Sequence, residues 1–192
     1  VKWTFGGLGS NWMNPALGGR VFVFFSWTGP MTAWVLPRTL AASGVSAVTG
    51  ASPLGFVKTG LLESGGRYAS GFDYLAKNGY PRSAMAAAVN TWLDTRLGIN
   101  PGEGLIDLFV GNIPGCIGEV SALLLILGAV YLFAAKIITW DIPVAFLGSF
   151  AFLVWMFGGS RYGNGLFTGD VAFHLFSGGL ILGALYMATD MV

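Results

Sequence analysis

Apolar residues in this chain come in long unbroken runs rather than in the alternations of a half-buried strand or the stripes of a surface helix. Residues 16–36, 120–135, 142–159 and 171–189 are four such runs. Each approaches the roughly 20 residues that a helix needs to cross a hydrocarbon core. The pattern predicts four transmembrane helices. Trp140, Trp155 and Tyr186 lie toward their ends, where amphipathic rings favour the membrane–water boundary.

Two other apolar stretches are interrupted. Residues 105–118, "LIDLFVGNIPGCIG", contain Gly111, Pro114, Gly115 and Gly118. Residues 6–19, "GGLGSNWMNPALGG", are equally rich in glycine and lead into the first long run. Proline removes a helical N–H and glycine lowers the cost of leaving the helix. At membrane depth, such breaks survive only where protein or a water-filled cavity satisfies the backbone. They predict re-entrant or broken half-helices of the kind that transporters use. Between the first and second runs lies one long polar connection, residues 37–104, in which "GYPRSAMAAA" and "VNTWLDTRLG" predict a short surface helix.

Composition strengthens the membrane reading. Of 192 residues, 54% are hydrophobic and 10% charged, against about 25% charged in ordinary soluble domains. Mean hydropathy is +0.68. The net charge of +1 and the lack of a basic run give no footprint for nucleic acid. Six of the ten basic residues fall in the 37–104 connection. Taken literally, the positive-inside rule would make it cytoplasmic, but the rule weakens for loops beyond about 60 residues. The chain begins at Val1 with neither an initiator methionine nor a signal-peptide pattern, which reads as a processed or partial chain.

Candidate chemistry is sparse. One cysteine and one histidine exclude a disulfide framework or a multi-ligand metal site built by this chain alone. Cys116 reads as a small packing residue in the tight break, with ligation shared with another subunit as the alternative. His174 reads as a hydrogen bond between helices, and Gly179 with Gly183 as a close helix contact. Asp107 belongs at an interface. Glu119, directly after the break, is either an intramembrane carboxylate on an ion path or a helix N-terminal residue facing free backbone N–H groups. These two readings stay open.

Four blocks taken together resemble the RnfD and NqrB family of integral-membrane subunits. They are "NPALGGRVFVFFSW" (14–27), "VTGASPLG" (48–55), "GNIPGCIGEVSALLLILGAVYL" (111–132) with "ITWDIPVAFLG" (138–148), and "FHLFSGGLILGALYMATD" (173–190). The third and fourth are more similar to the Rnf D subunit. The resemblance implies an all-α integral membrane protein with at least four transmembrane helices plus broken half-helices, one repeat of a two-repeat, transporter-like fold. Residues 1–192 form a single membrane domain on this reading, the second repeat of a larger subunit whose N-terminal half is absent, and 37–104 is its extramembrane connection.

The resemblance also implies a function: electron relay in an ion-translocating ferredoxin:NAD oxidoreductase, with NqrB of NADH:quinone reductase as the neighbouring possibility. The subunit is not catalytic alone. The family's attachment motif, roughly Asp-x-x-Ser/Thr-Gly-Ala-Thr, overlies Ser46, Ala47, Val48, Thr49, Gly50, Ala51 and Ser52. Ser52 takes the position that carries FMN through a phosphoester, while Ser46, Thr49, Gly50 and Ala51 serve recognition and access. Ser46 departs from the usual aspartate and Ser52 from the usual threonine. A second, noncovalent flavin such as riboflavin is compatible with the family. Implied partners are the Rnf A, B, C, E and G subunits, a flavin transferase and the lipid bilayer. The implied place is the bacterial inner membrane, with the flavin-bearing loop on the periplasmic side. From the broken helices alone, a transporter or channel subunit is the competing reading.

Overall fold

The computed structural model describes residues 7, 10, 12–37, 50–64, 68–98, 102, 104–116 and 120–190. Among them the chain is helical, with no strand longer than a bridging residue at Val35. In order, the helices are α1 (Pro15–Ser26), α2 (Thr28–Thr32), α3 (Pro53–Ser64), α4 (Gly71–Lys77), α5 (Ala84–Leu97), α6 (Leu105–Val110), α7 (Ala122–Ala134), α8 (Asp141–Phe157), α9 (Val171–Phe176) and α10 (Leu180–Leu182). A 3-10 turn, Gly158–Tyr162, extends α8, and a π turn, Gly183–Met187, extends α10.

The four apolar runs do not all form continuous spans. Only Asp141–Tyr162, 22 residues, is long and apolar enough to cross a membrane among the described residues. Just 11% of its most apolar window is buried, which is the opposite of a soluble core helix. The other runs are shortened for identifiable reasons. Pro30 has no N–H to offer Ser26, and the 16–36 run breaks at Trp27. The 171–189 run breaks at Ser177–Gly179 and resumes with the π turn. Helix α7 holds 13 residues from Ala122, after the N-cap Ser121, whose hydroxyl accepts the Leu124 N–H. The helices nonetheless present apolar side chains outward, among them Phe22, Phe25, Leu124, Val130 and Phe152.

The polar connection is not a separate lobe. Val57 of α3 and Phe72, Tyr74 and Leu75 of α4 share one buried cluster with Leu108, Ile113, Tyr162 and Phe173. Phe173 is fully buried, edge-on to Phe72 at 5.3 Å. A Cβ at Gly71 would overlap the Phe173 ring, so only glycine permits this approach. A second cluster joins Ala122 and Ala129 of α7 to Ile181 and Leu185, and the Tyr186 hydroxyl donates to the Leu125 carbonyl at 2.7 Å. The expected surface helix forms as α5, capped by the Ser83 hydroxyl and closed by left-handed Gly98.

Asn14 fastens the two ends of the described chain together. Its Oδ1 accepts the Leu17 N–H, capping α1, while Nδ2 donates to the carbonyls of Met187 at 2.7 Å and Asp190 at 3.0 Å. Asn14→Ala should lose about 1 kcal/mol from the cap and roughly another 1 from the untied carbonyls. Thermal unfolding of the purified full-length subunit measures this; a variant as stable as wild type would contradict the tie.

Candidate functional site

Ser52 is the residue before α3, and its Oγ accepts the Gly55 N–H at 3.2 Å. Its neighbour Pro53 occupies the first helical position, where a missing N–H costs nothing, and is fully buried. The preceding residues are held from two sides. The Gly50 N–H donates to the Trp34 carbonyl at 3.1 Å, and the Tyr80 hydroxyl donates to the Ala51 carbonyl at 3.0 Å. Burial pushes the Tyr80 phenol well above the usual tyrosine range, keeping it a donor. A Cβ at Gly50 would press on Leu36 at 3.0 Å, so glycine also serves packing here, while Ala51 is exposed.

Half-buried Ser52 borders a cavity of about 260 Å³. Arg20 and Phe24 of α1 line it, with Trp34, Pro114 and Ser177. Ser177 is 4% exposed, and its Oγ is buried with no hydrogen-bond partner. Burying an unpaired hydroxyl costs about 1–3 kcal/mol, so Ser177 is the buried group of this lining with hydrogen-bonding capacity to offer a ligand. Tyr80, Trp34 and Ser177 were invisible to motif reading, because they reach the backbone before Ser52, or its cavity, from distant parts of the chain. Ser46, Thr49 and Glu119 lie outside the described residues.

The segment carrying Ile113 and Pro114 is positioned by Asp107. This carboxylate is 2% exposed, buried in the protein core. It accepts from the Ser83 hydroxyl, from the Ser83 N–H at 3.1 Å and from Asn112 at 3.3 Å. The break after α6 forms as expected: Gly111 adopts φ +99°, and a Cβ there would meet the Ser121 backbone at 2.7 Å. Cys116 contacts the Met31 carbonyl at 3.8 Å, which fits a packing role. Among the described residues His174 makes no hydrogen bond to another helix; its Nδ1 meets the Asp170 carbonyl one turn back, at 2.8 Å. Gly183 faces open space, so it makes no close helix contact among the described residues.

A model of the NQR2, RnfD, RnfE family matches residues 1–192. The chain belongs to this family. It is 40% identical, over its whole length, to the D subunit of the proton-translocating ferredoxin:NAD(+) oxidoreductase complex of Clostridium ljungdahlii, covering 47% of that protein. It is 35% identical over 99% of its length to the Na(+)-translocating counterpart of Acetobacterium woodii, covering 44%. The B subunit of the Na(+)-translocating NADH-quinone reductase of Neisseria meningitidis is 34% identical and covered over 39%. The chain thus spans about half the length, or less, of these relatives, and matches both branches of the NQR2, RnfD, RnfE family.

Proposed function

We propose that this chain is the flavin-bearing part of the D subunit of an Rnf-type, ion-translocating ferredoxin:NAD oxidoreductase, working within a bacterial inner membrane. The observation that supports it most is Ser52: a hydroxyl at a helix N-terminus, on a braced backbone, beside a cavity with an unpaired buried Ser177 oxygen. An FMN phosphoester fits this arrangement. Its phosphate would lie where the first N–H groups of α3 and the helix dipole favour negative charge. Arg20, Trp34 and Phe24 supply a cation and apolar faces along the cavity, and Ser177 supplies a hydrogen bond.

When bound, the flavin supplies the electron chemistry, and the protein orients it and sets its surroundings. Tyr80 fixes the direction of the Ala51 carbonyl and so the trajectory of the Ser52 hydroxyl. The buried Pro53 anchors the start of α3. The apolar wall from Ile113 and Pro114 limits water. A second, noncovalent flavin, the A, B, C, E and G partners and a flavin transferase belong to this same reading. So do a periplasmic position for the loop, four membrane crossings and one half of a two-repeat fold. In the competing transporter reading, no polypeptide-bound flavin exists. Fluorescence of the denatured full-length subunit, made together with its transferase, separates the two: a flavin-fluorescent band supports relay, and a dark band refutes it.

Glu119 is the proposed ion-path residue. Glu119→Gln should lower ions moved per electron while electron transfer from soluble donors continues. If Glu119 only ends a helix, the ratio stays at its wild-type value.

A further inference from the structure

A larger cavity, of about 860 Å³, opens between α3 and α8. Leu61 of α3 and Leu153, Val154 and Phe157 of α8 make its walls apolar. Two cations border it: Lys58 and Arg161 are both exposed, and neither forms an ion pair among the described residues. Arg161 closes the Asp141–Tyr162 segment, the one long enough to cross a membrane. This wall runs from Phe150 of α8 into the 3-10 turn at Arg161, roughly 18 Å at 1.5 Å per α-helical residue and 2.0 Å per 3-10 residue. Half of a hydrocarbon core is about 15 Å. Charge at the boundary and an apolar trough one leaflet deep match one kind of occupant.

We propose that this cavity holds a phospholipid with an anionic headgroup, its phosphate between Lys58 and Arg161 and an acyl chain along α8. The inference rests on the membrane reading above. Basic positions at the ends of membrane helices attract anionic headgroups, and apolar walls give a chain a place that a free phosphate would leave wet. Leu54 borders both this cavity and the one beside Ser52, so an occupied lipid site would brace α3 directly below the attachment residue.

The test uses the full-length subunit in its purified complex, incubated with vesicles of equal phosphatidylglycerol and phosphatidylcholine, re-isolated, and its retained lipid quantified by mass spectrometry. Wild type should retain phosphatidylglycerol selectively. The double variant Lys58→Gln, Arg161→Gln should lose that preference by about tenfold or more, with complex assembly unchanged. Leu153→Trp, which fills the trough and keeps both cations, should also expel the lipid. Equal retention of both lipids by wild type, or undiminished selectivity in the double variant, overturns the proposal. Release of a quinone or free flavin by Leu153→Trp would overturn it too. A complex absent from the membrane fraction would instead defeat the membrane reading itself.

Discussion

Ser52→Ala is expected to abolish the covalent flavin completely, because it removes the one oxygen that the motif directs to the phosphate. The structure adds a complication and its remedy. Ser52 Oγ also caps α3 through Gly55, so alanine costs about 1 kcal/mol of helix stability as well. Ser52→Asp keeps a capping oxygen but cannot form the ester, and Ser52→Gly sacrifices only a few tenths of a kcal/mol. Both should be dark in the denatured-band fluorescence assay while the subunit assembles normally. Ser52→Thr should retain the flavin, and Thr49→Ala should keep it at equal or lower yield. Flavin persisting in Ser52→Asp would move the attachment elsewhere.

The second large effect belongs to Asp107. Its carboxylate satisfies both the hydroxyl and the N–H of Ser83, in the core. Asp107→Ala strands the Ser83 hydroxyl proton and N–H, at about 1–3 kcal/mol for each unsatisfied buried group, so a total of about 2 kcal/mol or above is expected. The damage should reach the flavin site. Residues 80–83 are continuous, so loosening Ser83 frees Tyr80, and Tyr80 holds the Ala51 carbonyl. The prediction is a clear fall in thermal stability of the full-length subunit together with reduced flavin yield. Tyr80→Phe isolates the second part: lower yield with stability changed by about 1 kcal/mol. A stable, fully flavinylated Asp107→Ala variant would contradict the linkage.

These two cases mark how far the sequence could be read. The apolar runs located helices α1, α7, α8 and α9, and Gly111 marked the break after α6, because a left-handed turn is local chemistry. Continuity did not follow. Hydropathy alone gives no weight to Pro30 or to Ser177–Gly179, so two runs that looked like spans are interrupted, and a third is the shorter helix α7. Within the 37–104 connection, α3 and α4 contribute much of the main core through Phe72, Tyr74 and Leu75, which no periodicity announced. The burial partner of Asp107 was not legible in the sequence, because Ser83 lies 24 residues away. Ser52 was legible only through resemblance, and its surroundings, Tyr80, Trp34 and Ser177, only through the fold.

Peptide mass spectrometry of the full-length subunit, purified within its complex, tests the central claim most directly. The account predicts one FMN phosphoester on the peptide containing Ser52, with fragment ions assigning it to that residue. An unmodified Ser52 peptide, or an adduct assigned to Thr49, would contradict it.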